Sequence, residues 1–248
     1  MLANNNEAII NKLAKNSVKT NKKQYAILFF TIILSAFMLF CVFTIGMTYL
    51  NSSRLQNTRL NGAEYDIVTM NGFTSEQLNT LQQNENIRSV GIESYAGFIQ
   101  STEYDKTVEI GLLWCDEVFW DNLMSPARTK LDGHYPQNKN ELMVTKDILK
   151  TCGNENLSVG DSLILTYENN TGVYTDEFVI SGIWDGYGDT SAGFVSKAFY
   201  DETGYDLKNN GILCIKLNCN YVFPTTIQSI EKSLDFSDRQ IFAPTGYI

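Results

Sequence analysis

The stretch "YAILFFTIILSAFMLFCVFTIGMTYL", residues 25–50, limits every later choice, because it lies inside a run without charge from Gln24 to Ser53. As a helix rising about 1.5 Å per residue it reaches about 39 Å, enough to cross a hydrocarbon core of about 30 Å with some tilt. Nearly every position is apolar, so no polar stripe is left with which a soluble helix would face water, and a helix satisfies its own backbone groups in lipid. Tyr25 and Tyr49 stand at the two ends, where amphipathic rings prefer the headgroup level. A core helix rarely runs this far without a charge, and a cleaved signal has an apolar region of about 7–15 residues followed by a small-residue cleavage site. The sequence predicts a membrane-spanning helix.

Charge divides at this span. The chain has a net charge of −9, yet residues 1–24 carry Lys12, Lys15, Lys19, Lys22 and Lys23 against Glu7 alone, so the head is at +4 and everything after it at −13. Lysines gathered before the span place residues 1–24 in the cytoplasm and residues 51–248 outside. Within the head, Ile9, Ile10, Leu13, Ala14 and Val18 fall on one helical face and Lys12, Lys15, Lys19 and Lys22 on the other. Such a helix lies flat in an anionic headgroup layer; a solvated tail that only sets topology is the alternative reading. The acidic balance of the remainder argues against a nucleic-acid partner, which demands clustered Lys and Arg.

Beyond the span, residues 51–61 ("NSSRLQNTRLN") are polar and free of proline, so the helix can continue as a short stalk. The remainder, 62–248, is rich enough in apolar and aromatic residues to build a core, and its patterning predicts an α+β unit of two lobes. Residues 64–70 read as a strand, Thr74 to Asn84 as a helix with Thr74 and Gln77 at capping-box spacing, and Ile87 to Ser101 as one strand or a pair. A second β-α-β unit follows from residues 211–218, a helix opening at Pro224 with Ile227, Ile230 and Leu234 inward, and residues 239–243. Residues of about 62–102 and 209–248 make one lobe of split β-α-β units, with a mainly-β lobe of about 103–208 inserted.

Residues 160–163 spell Gly-Asp-Ser-Leu, a signature shared with a family of serine esterases. A nucleophilic Ser162 needs a histidine base oriented by a carboxylate, on an exposed turn. The chain's one histidine, His134, lies upstream in a Gly- and Pro-bearing loop, whereas in those esterases it follows the serine near the domain's end. Leu163, Leu165 and Tyr167 alternate with Ser162, Ile164 and Thr166, Asn169 to Gly172 supply turn chemistry, and an extended run returns, so the stretch reads as a hairpin opened by Gly160-Asp161. Cys41 lies in the span; Cys115, Cys152, Cys214 and Cys219 lie beyond it with no C-x-x-C spacing, which leaves buried thiols or a disulfide open. Asp185 and Asp189 share a Gly-rich loop that lacks the further acidic ligands of a calcium site. No Walker-type loop occurs, and no residue pattern points to a catalytic, cofactor-binding or metal site.

The order of these segments resembles the first part of an FtsX-like ABC transporter permease with a MacB-type periplasmic core domain. The resemblance runs through "GAEYDIVTMNGFTSEQLNTLQQNENIRSVGIESYAG", "LDGHYPQNKNELMVTKDIL", "LSVGDSLILTY" and "FVISGIWDG", and covers essentially the whole chain. It implies that Gly133, Pro136, Glu141, Gly160, Asp161 and Gly182 shape the fold and perform no chemistry. It further implies a Gram-positive cell membrane, a separate cytoplasmic ABC ATPase as partner, the remaining membrane helices of a longer permease, and a peptide, lipoprotein or envelope protein as substrate. Such permeases have at least four spans, so this chain is expected to be an N-terminal portion. A single-pass sensor or ligand-binding module is the rival, weakened by a cytoplasmic head too short for a signalling domain.

Overall fold

A computed structural model describes residues 7–100, 110–185, 192–218 and 223–245. The chain divides into two units, Met1–Arg54 and Leu55–Ile248.

The first unit begins with helix α1 (Glu7–Thr20) and continues, after a bend at Asn21, into α2 (Lys22–Leu60). The bend keeps its backbone bonds, with Asn21 N–H donating to Ser17 O at 3.0 Å and Tyr25 N–H to Asn21 O at 3.1 Å. Ile9, Ile10, Leu13 and Val18 of α1 are exposed, as the amphipathic pattern requires of a helix with no protein partner for its apolar face. None of the 39 residues of α2 is buried, and this one helix is long and apolar enough to cross a membrane. Two of its hydroxyls turn inward on the backbone: Thr31 Oγ1 donates to Ile27 O and Ser35 Oγ to Thr31 O, both at 2.8 Å. That bonding removes the penalty of an unpaired donor in lipid. Helix α2 runs through the polar residues 51–60, so the expected stalk is part of the same helix. It stops where Gly62 takes φ +73°, the left-handed conformation that ends a helix.

In the second unit the elements run β1 (Ile67–Met70), α3 (Ser75–Gln82), β2 (Ile87–Ile99), β3 (Ile110–Cys115), a π-helix (Val118–Leu123), β4 (Thr129–Gly133), β5 (Glu141–Thr145) and α4 (Lys146–Thr151). There follow β6 (Ser162–Asn169), β7 (Gly172–Asp185), β8 (Ala192–Val195), α5 (Lys197–Tyr200), α6 (Leu207–Asn210), β9 (Gly211–Leu217), α7 (Pro224–Ser233) and β10 (Ile241–Pro244). The strands make one sheet in the order β10-β1-β9-β2-β3-β8-β5-β7-β4, with β6 paired to β2 and β7. β1 and β2 each pair antiparallel with β9, and β9 and β10 each pair antiparallel with β1. Each β-α-β unit is therefore split by a strand of the other, an interleaving that locks both into one sheet. These four strands, from residues 62–102 and 209–248, occupy one end of the sheet. Strand β2 is a single strand of 13 residues that pairs β9 along Ile87–Ser94 and β3 along Glu93–Ile99, so it carries the sheet onward without a gap.

Helix α3 starts as its sequence dictates: Thr74 Oγ1 accepts from Gln77 N–H at 3.1 Å and the Gln77 side chain accepts from Thr74 N–H at 2.9 Å. Helices α3 and α7 bury Leu81, Ile227 and Ile230 against Ile67, Leu213 and Ile215 of the sheet. Side chains on a strand alternate between faces, so Val68 and Cys214 point the other way, into a core with Phe119 and Leu123 of the π-helix. Gly91 permits that packing. A Cβ there would meet Phe119 Cα at 2.8 Å and Leu123 Cδ1 at 2.7 Å. Further along, Leu112, Leu142, Leu163, Leu165, Phe178, Val195 and Phe199 form a third core, each large apolar side chain contributing about 1.5–3 kcal/mol by leaving water.

The 160–185 region is the hairpin read from the sequence. β6 and β7 pair antiparallel from Ser162↔Val179 to Asn169↔Gly172. Leu163, Leu165 and Tyr167 are buried, while Ser162, Ile164 and Thr166 are exposed.

Candidate functional site

Residues 64–66 connect α2 to the sheet, and three separate parts of the chain hold them. Glu64 N–H donates to Leu123 O at 2.7 Å and Asp66 N–H to Ile215 O at 2.9 Å. The Asp66 carboxylate accepts from Leu217 N–H at 2.9 Å and from Lys216 Nζ at 3.3 Å, and the same ammonium lies 3.0 Å from Glu64. At the far end of the sequence, Thr245 N–H donates to Asp66 O at 2.8 Å and Thr245 Oγ1 to Tyr65 O at 3.0 Å. The chain thus leaves the sheet beside the residues through which it came in. Lys216 and Asp66 are largely shielded, with side-chain exposures of 11% and 13%, so each charge depends on the other; Glu64, at 40%, adds little.

A cleft of ≈ 370 Å³ opens beside this clamp, lined by Glu64, Arg88, Asp121, Asn122, Ser125 and Lys216. Its charges balance, which gives it no preference for one sign of ligand. The Arg128 guanidinium stacks 3.9 Å from the Trp120 ring and 3.9 Å from Asp121, fixing the loop after the π-helix.

Glu93 stands on β2 opposite Cys115 of β3 and Ile212 of β9. It makes no hydrogen bond or ion pair among the described residues, and burial pushes its carboxyl up to about 7. Burial likewise raises the thiols of Cys115 and Cys214 well above their ordinary value, with Glu93 adding repulsion. Both are inert as nucleophiles. The Tyr135 hydroxyl accepts from Cys115 N–H at 3.0 Å and lies 3.2 Å from the Cys115 and Val195 carbonyls, closing the face polar group by polar group.

The esterase constellation is not assembled. Ser162 opens strand β6 and is exposed, and no hydrogen bond joins it to His134, whose Nδ1 contacts Tyr135 O at 3.0 Å. Cys41, Cys115, Cys152 and Cys214 are free thiols; Cys219 lies outside the described residues. Asp185 pairs with Lys130 at 3.3 Å, and Asp189 is outside the described residues. No group of three or more metal-ligating side chains occurs among the described residues.

Of the residues that carry the family resemblance, Gly133 and Gly160 take φ of +87° and +94°, while Gly182 lies within β7 opposite Gly133. His134 N–H, next to Gly133, donates to Ser181 O at 2.9 Å, and Gly160 N–H donates to Ile180 O at 2.8 Å. The Asp161 carboxylate accepts from Ser158 N–H at 2.8 Å. The Glu141 carboxylate takes three hydrogen bonds, from Gln137 N–H, Asn138 N–H and Asn138 Nδ2. Partial burial pushes that carboxyl up, but the three bonds outweigh it and hold it below its ordinary range. Missing from the sequence reading were the Lys216 clamp and Glu93. The sole local signal for either was a charge inside an apolar strand pattern, "GILCIKLN" and "VGIESYAG".

No protein-family model matches the sequence, and no curated protein matches it. Among solved structures, the chain is similar to the periplasmic region of MacB from Actinobacillus actinomycetemcomitans, at 13% identity and a TM-score of 0.48, covering 75% of this chain and 92% of that one. It is also similar to the extracellular domain of the ABC-type transporter YknZ from Gram-positive bacteria, at 13% identity and a TM-score of 0.42, covering 67% and 87%.

Proposed function

We propose that this chain is the N-terminal part of an FtsX/MacB-type permease, in which a cytoplasmic ABC ATPase drives movement of residues 62–248 on the outer side of a Gram-positive cell membrane. The observation that carries the reading is the contact of Thr245 with Tyr65 and Asp66. Because the strand β10 leads back to the residues through which α2 enters the sheet, a pull along α2 is taken up by both at one point. Force along α2 enters the sheet through residues 64–66, and the Lys216 clamp passes it to β9 in the middle of the four-strand end. Residues 25–50 span the membrane, 51–61 form the stalk, and 1–24 lie as a basic amphipathic segment against anionic lipid on the inner side. Within residues 62–248, about 62–102 and 209–248 act as the lobe joined to the stalk and about 103–208 as the lobe that meets a peptide, lipoprotein or envelope partner. ATP hydrolysis belongs to the separate subunit.

In the full-length protein reconstituted with its ATPase, Leu55→Pro breaks the stalk helix and is expected to abolish substrate-stimulated ATP hydrolysis while basal hydrolysis persists. Unchanged stimulation refutes mechanical coupling. Protease added to sealed cells is expected to cut within 51–248 and spare 1–24; the opposite pattern refutes the orientation.

A further inference from the structure

The outer half of β7 has a bare edge. In the β6–β7 hairpin, even-numbered β7 residues bond toward β6, as Ile180 N–H to Asp161 O shows at 2.9 Å, and odd-numbered ones point away, as Val179 N–H to Asn140 O shows at 2.8 Å. By the same alternation Val173, Thr175 and Glu177 present their N–H and C=O groups away from β6. No backbone hydrogen bond receives them among the described residues. The line they face is that of β5, which pairs β7 only from Glu141↔Val179 onward. Upstream of Glu141 the chain turns off that line at Asn138–Glu141, pinned by the Glu141 carboxylate. Among the described residues, one strand's width of sheet is therefore empty alongside residues 173–177. Those residues, "VYTDE", include strong strand formers and neither the proline nor the lysine that usually blunts an edge.

Beneath the empty place lies a pocket of ≈ 210 Å³, bounded by Lys139, Tyr167, Tyr174, Asp176, Phe199 and Glu202. Tyr167, Tyr174 and Phe199 form a ring cluster, with centroids 6.0 Å apart for Tyr167–Tyr174 and 5.3 Å for Tyr167–Phe199. Asp176 and Glu202 supply negative charge at its rim, and the ammonium of Lys139 already rests on Glu202. Aromatic faces beside carboxylates receive an alkylammonium or guanidinium, and the Lys139–Glu202 pair shows that an ammonium reaches the carboxylate at the rim.

We propose that the edge of β7 at Val173–Glu177 is a strand-addition site for an extended peptide bearing lysine or arginine, whose backbone pairs with residues 173, 175 and 177 and whose basic side chain enters the pocket at Asp176 and Glu202. Side chains on an added strand alternate, so every second residue faces the pocket and the others pack beside Val173 and Thr175. This specifies the substrate class of the permease reading and rests on that reading for the peptide's role as cargo; the binding itself requires no ATPase.

The test uses the 248-residue chain in phosphatidylcholine nanodiscs, which are neutral, and a fluorescent peptide of sequence Lys-Thr-Lys-Val-Lys-Thr with blocked ends. Anisotropy is expected to show saturable binding. Binding should disappear when alternate peptide nitrogens are methylated, which leaves the protein and all charges untouched, and when the lysines are replaced by glutamates. Thr175→Pro removes an outward N–H without breaking a backbone bond to β6, at the loss of the Thr175 hydroxyl bond to Thr166, and is expected to abolish binding, whereas Asp176→Asn combined with Glu202→Gln weakens it about tenfold. Equal binding of the methylated or the acidic peptide overturns the proposal, as does a chain that pairs with a second copy through this edge and excludes peptide. Peptide binding in a protein whose native complex contains no ATPase sinks the permease reading alone; an ATPase complex that ignores the peptide sinks this one alone.

Discussion

The two ends of the sheet satisfy their polar groups in opposite ways. At the end where α2 arrives, Asp66, Lys216 and Thr245 bond across more than a hundred residues of sequence. At the hairpin end most bonds are local: Asn169 Oδ1 accepts from Thr171 and Gly172 N–H at 2.8 and 3.2 Å, Thr166 and Thr175 hydroxyls share a bond at 2.8 Å, and Tyr167 donates to Asp176 at 2.6 Å, while Gln100 and Gly204 reach the hairpin from farther along the chain. Long-range bonds make an end that moves only as a whole. Local ones make an end that keeps its shape while leaving an edge free. A part that receives force needs the first property, and a part that receives a ligand benefits from the second.

If this contrast is right, substitutions at the first end cost far more than those at the second. Lys216→Met should be the most damaging, because it strands the shielded Asp66 charge; a loss of about 3 kcal/mol is expected in denaturant unfolding. A loss below that expected for a surface ion pair breaks the comparison. Gly91→Ala follows at about 2 kcal/mol, since the added methyl meets the π-helix backbone rather than a yielding side-chain tip; the same unfolding midpoint reads it.

Glu93 sharpens the contrast through pH. Its folded carboxyl is raised from 4.5 to about 7, so the fold favours the protonated form. The stability tied to that form is complete below about pH 4.5 and drains away as pH rises to 7, about 3 kcal/mol in all. Glu93→Gln should be flat across that window and more stable than the parent at pH 8; a parallel pH dependence in both proteins rules the account out. Thr74→Ala, which removes one half of the capping box of α3, should cost about 1 kcal/mol, read by thermal unfolding. Ser162→Ala, exposed at the start of the hairpin, should change stability by less than about 0.5 kcal/mol and leave any ester hydrolysis by the preparation unaltered; a loss of such activity would revive the nucleophile.

Several elements were legible because their cause is local. The run from 25 to 50 had one physical solution in lipid, Thr74 and Gln77 fixed a helix start three residues apart, and Leu163, Leu165 and Tyr167 declared the buried face of β6. The π-helix at Val118–Leu123 was not legible, since its apolar residues also fit a strand or an α-helix, and what selects the conformation is the shallow seat left by Gly91. Nor was the clamp: Lys216 in "LCIKLN" reads as a misplaced charge until Asp66, 150 positions away, stands beside it.

The sequence by itself determined which part of the chain is long and apolar enough to cross a membrane, on which side of that run the lysines gather, and where the β-α-β units and the hairpin lie, because apolar periodicity, capping and turn chemistry act over a few residues. Tertiary structure alone decided that strands from the two ends interleave, that Thr245 returns to Tyr65 and Asp66, and that, among the described residues, Val173–Glu177 has no strand on the side away from β6. Those outcomes depend on which distant strand wins each backbone edge, and no short stretch of sequence carries that competition.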